Sequence, residues 1–335
     1  MGDGRVARLF RNGEGAAYWA LTAPVLARLP AALGYRLACR RGDWLFRRHA
    51  AERTELIRNL GQVLGSELSP AALQHAARQW FRNTSCEAID VKRLRRRGRP
   101  LRRLVEIRGK EHLEAALAAG TGAILCSAHF GSYESSFSML NTSGFPVTTI
   151  GRWQHKYTAG LSAAERRFWA RVYVRPLQRN RHRANIEPWP GRFDVAARAA
   201  AVLRAGEVLT ICIDAPPLDC DRGRAIAVPF LGRQAGLVPG IVTLAQLTGA
   251  PVLMALPRRC ADYCHQVLEI SAPLPTAGDV ATVFGRLAAE VSAAITRNPS
   301  HWRYWPSTVD LAQLGLTGPG PGSVAAAEQQ VPQLR

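Results

Sequence analysis

Three segments of the chain share one pattern, in which a helical stretch and a glycine lead into an apolar run and then a polar or charged residue. The apolar runs cover residues 123–128, 208–213 and 251–256, and each has the length of a single buried strand. Alternating helices and buried strands are typical of a parallel sheet covered by helices. The sequence therefore predicts an α/β fold with a mostly parallel mixed sheet flanked by helices.

The apolar runs end on residues that can carry chemistry. His129 follows the first run, Asp214 ends the second, and Arg258 and Arg259 follow the third. Parallel strands bring their carboxyl ends to one edge of a sheet, where α/β proteins bind their ligands. We therefore expect these side chains to share one active edge.

The first run continues as S-A-H-F-G-S-Y-E, which places Glu134 five positions after His129. If a helix begins after Gly131, the carboxylate can fold back to the imidazole Nδ1 and leave Nε2 to accept a proton. An imidazole held in this way is a general base for a hydroxyl, whereas Ser127 and Cys126 lie within the strand and are poorly placed as nucleophiles. The alternative is a histidine with a structural role only.

The charge of the chain limits its partners. Its 335 residues include 44 Lys+Arg and 25 Asp+Glu, for a formal net charge of +19. Such an excess favours anionic membranes or other polyanions. Residues 91–104 hold eight basic residues and no acid, which indicates either attraction to phospholipid headgroups or a solvated charged surface. No aromatic residues are interleaved there to stack on bases, so we expect no nucleic-acid partner.

The seven cysteines are odd in number and scattered, which favours a reducing compartment over a disulfide framework. Cys260, Cys264 and His265 look like part of a metal cluster. No second ligand pair stands at zinc-site spacing, so the sequence predicts no metal.

Residues 16–38 are apolar but contain Arg28, Arg36 and two prolines. A membrane-spanning helix needs about 20 mostly apolar residues without central charge, and no signal cleavage site follows. An amphipathic segment lying on a membrane and a first core helix both fit the pattern.

The rest of the chain divides by composition. Residues 45–91 have helical spacing throughout, and the end of the chain is rich in glycine and proline. We predict a membrane-associating segment over 1–44, an α/β domain over 45–312 and a disordered tail over 313–335.

The motif S-A-H-F-G-S-Y-E resembles the His-x4-Asp/Glu motif of glycerolipid-type acyltransferases, and most closely that of the bacterial lipid A biosynthesis lauroyl/myristoyl acyltransferases. Two further blocks are similar to this family in the same order, V-E-I-R-G-K-E-H-L-E-A-A-L-A-A-G-T-G-A-I-L at 105–125 and A-V-P-F-L-G-R-Q-A-G-L-V-P-G-I-V-T-L-A at 227–245. The resemblance covers residues 20–306.

The resemblance implies that His129 is the base and Glu134 its orienting partner. It implies substrate-binding roles for an acid and for basic residues, namely Arg152, Asp214 and either Arg258 or Arg259. In the family, the arginine at the position of Arg152 faces a phosphate of the substrate or the developing oxyanion. The closing segment N-P-S-H-W-R-Y-W-P-S lacks the His-Arg-Arg of the family, which leaves the acceptor open.

The implied activity is that of an O-acyltransferase. It would move a fatty acyl chain from acyl carrier protein or acyl-CoA to a hydroxyl of a lipid acceptor, with no cofactor beyond that co-substrate. The acceptor would be a lipid A precursor, or else a phosphatidylinositol mannoside, a lysophospholipid or an aminolipid. The expected place is the cytoplasmic face of the bacterial inner membrane, against anionic phospholipid. A non-catalytic basic protein that docks on membranes is the rival interpretation.

Overall fold

The computed structural model describes residues 13–94, 99–151, 162–179, 185–188, 194–217 and 223–317. Its α-helices are α1 (Gly13–Ala17), α2 (Ala23–Leu26), α3 (Ala31–Arg48), α4 (Ala50–Leu64), α5 (Pro70–Arg93), α6 (Arg99–Arg102), α7 (Lys110–Ala118), α8 (Tyr133–Thr142), α9 (Ala163–Trp169), α10 (Arg175–Gln178), α11 (Val195–Arg204), α12 (Gly240–Thr248), α13 (Val280–Arg297) and α14 (Thr308–Gln313). Its strands are β1 (Val105–Arg108), β2 (Ala123–Ser127), β3 (Val147–Ile150), β4 (Val208–Cys212), β5 (Ile226–Phe230), β6 (Arg233–Leu237), β7 (Val252–Arg259) and β8 (Gln266–Leu274).

Six strands form one mixed sheet in the order β1-β8-β7-β2-β4-β3, and β5 and β6 form a separate antiparallel pair. Strands β7, β2, β4 and β3 are parallel to one another, β8 runs antiparallel to β7, and β1 runs parallel to β8. All five residues of the central strand β2 are buried, as its continuous apolar run indicates. The predicted α/β class and mostly parallel mixed sheet are confirmed.

Helices cover both faces of the sheet, and β2 contributes to both layers. Ile124 and Cys126 lie in a core with α4, α11, α12 and α13. Leu125 lies in the opposite core, with Leu113 of α7 and Phe137 of α8. Because side chains alternate along a strand, consecutive residues of β2 supply the two layers.

The N-terminal helices are α1, the π-helical turn Tyr18–Thr22, α2 and α3, and they pack against α5 in a third core. Tyr18 and Trp19 are buried there, whereas Leu21 is 69% exposed and Val25 is 58% exposed. One side of the segment therefore belongs to the core, as the core-helix interpretation expects, and the other carries apolar residues in solvent. The attachment of this segment to a membrane stays a prediction. Among the described residues, no helix combines the length and the apolar character needed to cross a membrane.

Helix α3 packs closely along α5 and passes through the predicted boundary between residues 44 and 45. A Cβ atom at Gly42 would lie 2.6 Å from the Cα atom of Arg82, so the close approach of the two helices depends on that glycine. The division into domains stays a prediction.

Two details of the sequence interpretation change. Strand β7 continues through Arg259, because Arg259 pairs with Gln266, the first residue of β8. The two arginines therefore lie within a strand and not after one. Leu314 and Leu316 are buried in the main core, which makes the prediction of a disordered tail from residue 313 wrong for 313–317. Residues 318–335 lie outside the described residues.

The basic segment 91–104 is partly internal. Lys92 Nζ donates a hydrogen bond to the carbonyl oxygen of Val172 over 2.6 Å, and Arg93 Nη2 donates to that of Leu29 over 3.0 Å. These two cations help to hold the N-terminal helices and residues 163–178 against α5. The attraction of the rest of the segment to anionic lipid stays a prediction.

Candidate active site

The histidine of the motif and the acid after β4 meet at the carboxyl edge of the sheet. Strands β2 and β4 are neighbours, with Ser127 paired to Cys212, so the chain leaves both strands at the same level. His129 Nδ1 lies 2.8 Å from Oδ1 of Asp214. The imidazole is partly exposed, at 16% of its side-chain surface, whereas the carboxylate is fully buried. The prediction that the strand ends share one edge is confirmed for this pair.

The carboxylate of Asp214 is satisfied by several donors. Besides the imidazole contact, it accepts from the backbone N–H of His129 over 2.9 and 3.0 Å and from the indole N–H of Trp302 over 2.7 Å. Burial alone would raise the pKa of Asp214, but the charge of His129 and these hydrogen bonds lower it below its usual value. An ionised carboxylate accepts only, so Nδ1 carries the proton and Nε2, on the opposite side of the ring, is the basic nitrogen.

The turn between the histidine and α8 requires glycine. Gly131 has a φ of +56°, and a Cβ atom there would lie 2.2 Å from the carbonyl oxygen of Pro257 on β7. Both the left-handed backbone and the close approach exclude a side chain. The turn places Tyr133, the first residue of α8, beside the imidazole, with the two ring centroids 5.1 Å apart.

Glu134 does not take the position predicted for it. Its Oε1 accepts from the hydroxyl of Tyr133 over 2.8 Å and lies 3.4 Å from Nη1 of Arg303, and its Oε2 accepts from the hydroxyl of Tyr173. The prediction that Glu134 holds Nδ1 of His129 is wrong, because Asp214 lies at that nitrogen.

Arg303 joins Glu134 to a second carboxylate. Its Nη2 donates to Oε1 of Glu87. The Cζ atom of its guanidinium lies over the ring of Tyr133, 5.4 Å from the ring centroid. Burial raises the pKa of Glu87, and the charge of Glu134 adds to this although Arg303 opposes it. Two carboxylates and one guanidinium therefore form a compact charged cluster beside the imidazole.

The other predicted substrate-binding residues fall in different places. Arg259 is inside the protein, with 2% of its side chain exposed, and bonds Asp90, Ser132 Oγ and the carbonyl oxygen of Tyr263. A substrate-binding role for it is therefore wrong, since its donors are used internally.

Asp214 was likewise predicted to bind substrate, and full burial against His129 contradicts that role as well. Arg258 is partly exposed, and its Cα atom lies beside the Gly131 turn, so its substrate-binding role stays a prediction. Arg152 lies outside the described residues.

A small cavity lies beside Glu134, between α8 and β3. Its lining combines aromatic and polar side chains from α8 and β3, including Tyr133, Phe137, Asn141 and Thr149. Glu134 thus contributes both to the charged cluster with Arg303 and to the lining of this cavity.

One group of described residues has the composition of a metal site. Donor atoms of His129, Cys212 and Asp214 lie within 4.8 Å of one another. The imidazole and the carboxylate are already bonded to each other, and the carboxylate also accepts from Trp302, so we assign them to an acid–base pair. The absence of a metal requirement stays a prediction.

Sequence reasoning missed the residues that complete the site from the C-terminal side. Besides the Trp302 indole, the hydroxyl of Tyr304 lies 3.3 Å from Nδ1 of His129, and the two rings are 5.0 Å apart. The signal was the aromatic segment H-W-R-Y-W at 301–305, three aromatics in a chain that is only 7% aromatic.

An oriented histidine at the carboxyl edge of such a sheet fits the class of lipid acyltransferases. Residues 14–305 match the model of the bacterial lipid A biosynthesis acyltransferase family, and the chain belongs to that family. It is therefore an acyltransferase enzyme, which sets the non-catalytic interpretation aside. The chain is also similar to a phosphatidylinositol mannoside acyltransferase of Mycobacterium tuberculosis, at 29% identity over 277 residues that cover 78% of each chain.

Proposed function

We propose that the enzyme transfers a fatty acyl chain from a thioester to a hydroxyl of a membrane lipid, with His129 as general base. The observation that carries the proposal is the imidazole fixed by buried Asp214, with its basic Nε2 on the side opposite the carboxylate. Membership of a lipid acyltransferase family supplies the reaction class.

The reaction would proceed without an acyl-enzyme. Nε2 of His129 takes the proton of the acceptor hydroxyl as its oxygen attacks the thioester carbonyl carbon. The tetrahedral intermediate collapses with cleavage of the carbon–sulfur bond, and the imidazolium returns its proton to the departing thiolate. Asp214 stabilises the imidazolium between these two transfers.

The oxyanion of the intermediate requires donors of its own. We keep Arg152 and nearby backbone N–H groups as candidates for this role, and removal of one such donor commonly costs about 3–4 kcal/mol. Glu134 acts in this proposal as a positioning residue, because it holds Arg303, whose backbone N–H donates to the carbonyl oxygen of His129 over 2.9 Å.

The acceptor is proposed to be a lipid with a sugar headgroup. The family description favours a lipid A precursor, and the relative from Mycobacterium tuberculosis favours a phosphatidylinositol mannoside. Acyl carrier protein and acyl-CoA both remain as thioester donors, and an acidic carrier would be attracted by the net charge of +19.

The proposed location is the cytoplasmic face of the bacterial inner membrane. Leu21, Val25 and Leu33 are 69%, 58% and 45% exposed on the N-terminal helices, which supports binding in the membrane interface. Exposed arginines on the same helices would face anionic headgroups, each contributing about 1 kcal/mol near the surface.

The test uses the purified full chain with radiolabelled acyl-CoA or acyl carrier protein. Vesicles carry either a lipid A precursor or a phosphatidylinositol mannoside, and products are identified by the mass of one added acyl chain. We expect His129→Gln to lose transfer by at least about 100-fold while its circular dichroism stays unchanged. Transfer retained by this variant, or no transfer from either donor to either lipid, would exclude the proposal.

A further inference from the structure

The segment 301–304 runs antiparallel to the turn that carries the histidine. The backbone N–H of Gly131 donates to the carbonyl oxygen of His301 over 2.8 Å, and that of Arg303 donates to the carbonyl oxygen of His129 over 2.9 Å. Phe130 and Trp302 are the residues paired between these bonds. The segment is thereby fixed in register with the site from about 170 positions further along the chain.

Trp302 is the member of this segment that reaches the buried carboxylate. Its indole N–H donates to Oδ2 of Asp214 over 2.7 Å, on the oxygen that does not face the imidazole. Each oxygen of the carboxylate therefore has its own ring N–H donor, Nδ1 at Oδ1 and the indole at Oδ2.

The indole has no freedom to turn away. Trp302 is fully buried, and the rings of Trp305, Tyr304 and Phe230 lie 4.6, 5.6 and 6.1 Å from it. Its carbonyl oxygen accepts from the indole N–H of Trp80 over 3.0 Å. Close packing on several sides leaves the donor one position, that at Oδ2.

We propose that Trp302 is a positioning residue for acyl transfer, whose indole N–H holds the Asp214 carboxylate in the plane that presents Oδ1 to His129. The inference rests on the proposed function. Without this donor, Oδ2 would be a buried anionic oxygen with only the backbone N–H of His129 as partner, and the carboxylate could rotate about its Cβ–Cγ bond.

The donor also sets how strongly the carboxylate attracts the imidazolium. The backbone N–H of His129 donates to both carboxylate oxygens and keeps the carboxylate within reach of Nδ1 when the indole donor is removed. A hydrogen bond to Oδ2 draws negative charge from the carboxylate, so the loss of that bond would strengthen the interaction with protonated His129 and raise the pH at which the ring titrates.

Several titratable or charged groups of the described residues surround the imidazole. They are Asp214 and Cys212 at the end of β4, Tyr133 and Glu134 on α8, and Arg303 and Tyr304 on the C-terminal segment. A change at position 302 substitutes none of these groups, and the one hydrogen bond to Asp214 that it removes is that of the indole, so a shift in the titration of His129 reports on that bond.

The test compares Trp302→Phe with Trp305→Phe in the full chain. Trp305 is equally buried and donates its indole N–H to the carbonyl oxygen of Pro299 over 2.7 Å. Trp305→Phe therefore loses a similar bond, while it keeps an aromatic ring beside Trp302 and leaves the indole donor at Asp214 in place. A second form carries benzothienylalanine at position 302, which keeps the shape of tryptophan and lacks the N–H, in case phenylalanine impairs folding.

Two measurements are made on each protein. The first is the pH profile of kcat and KM for acyl transfer. The second is the titration of the His129 ring by NMR in ¹⁵N-histidine protein, with the resonance assigned from its loss in His129→Gln. For both forms without the indole N–H we expect kcat to fall about 10- to 100-fold with little change in KM, and the acid limb and the ring titration to move together to higher pH.

A fall in kcat with no shift of the ring titration, or the same behaviour in the Trp305 control, overturns the inference. The ring titration needs no turnover, so it tests the role of Trp302 even if no lipid is acylated and the proposed function fails. Conversely, normal kcat and normal titration in the benzothienylalanine protein would reject the inference and leave the proposed function standing.

Discussion

Asp214 and Glu134 hold different parts of the site around the histidine turn. Asp214 accepts the hydrogen bond from Nδ1 of His129, whereas Glu134 accepts from two tyrosines and pairs with Arg303. The acid next to the histidine in sequence is therefore not the acid next to it in space, although both are buried.

This arrangement ranks the two acids by their effect on transfer. Asp214→Asn presents an amide to Nδ1 and permits the wrong tautomer, so we expect kcat to fall by about 10²- to 10⁴-fold. Glu134 acts through Arg303 and the two tyrosines from which it accepts, and Glu134→Gln keeps its shape. The fall in kcat for Glu134→Gln should therefore be at least tenfold smaller than that for Asp214→Asn. Steady-state kinetics of the two purified variants give the ranking, with circular dichroism as the control for folding. The reverse order would mean that Glu134 orients the base.

The sequence predicted the edge of the sheet on which the site lies, but not the contacts within it. Apolar runs that end on His129 and Asp214 identify two parallel strands, and parallel strands share a carboxyl edge. The choice of the acid that reaches Nδ1 depends on the turn at Gly131, which is shaped by its contact with Pro257 on another strand. Local spacing contains no information on such a contact.

Contacts between segments that are distant in sequence also explain the residues that were missed or misplaced. Trp302 reaches Asp214 across 88 positions of sequence. Arg259 is internal because β8 pairs with the whole length of β7 and because Asp90 on α5 lies opposite. Neither β8 nor the hairpin of β5 and β6 was predicted, and the arginines of β7 pair with β8.

The buried pair of Arg259 and Asp90 should matter for stability. Asp90 also accepts from Tyr35 over 2.5 Å and from Ser132 over 2.9 Å, so its carboxylate is surrounded by donors. Arg259→Met leaves this charge buried without its cation, and we expect the free energy of unfolding to fall by about 3–5 kcal/mol in urea titrations.

Two variants control this experiment. Arg258→Met removes the neighbouring, partly exposed cation of the same strand and should change stability by less than about 0.5 kcal/mol. Adding Asp90→Asn to Arg259→Met neutralises the uncompensated carboxylate and should restore part of the loss. An Arg259→Met protein as stable as the wild type would show that the pair contributes nothing to folding.

Stability should also depend on pH through His301. Burial and the charges of Arg259 and Arg258 lower its pKa to about 4, and its Nε2 accepts from the backbone N–H of Arg259 over 3.0 Å. The unfolded chain binds a proton at this imidazole near pH 6.5, whereas the folded protein does not until about pH 4. The contribution of neutral His301 to the stability of the fold is therefore complete above pH 6.5, and it is lost as the pH falls through the pKa of the folded protein.

The expected size of this effect follows from the two pKa values. Between pH 7 and pH 4 the free energy of unfolding should fall by about 3 kcal/mol more in the wild type than in His301→Gln. Urea titrations at a series of pH values measure the difference, and His75→Gln, at an exposed position, is the control with an unchanged profile. Parallel profiles for the wild type and His301→Gln would show that protonation of this imidazole is not linked to folding.

Membrane binding should depend on the exposed apolar residues of the N-terminal helices. A polar side chain at Leu21 or Val25 should change the free energy of unfolding little, because both residues are more than half exposed. If their side chains insert into the interface, the double change Leu21→Ser and Val25→Ser should weaken binding to vesicles of anionic phospholipid by at least about tenfold in sedimentation assays. Leu247 on α12 is 74% exposed, and Leu247→Ser serves as the control, since it removes an exposed apolar side chain that is not on the N-terminal helices. Equal binding by the double variant and the control would mean that charge alone holds the protein to the lipid. In that case 0.5 M salt, which shortens the Debye length to about 4 Å, should release the wild type, the double variant and the control alike.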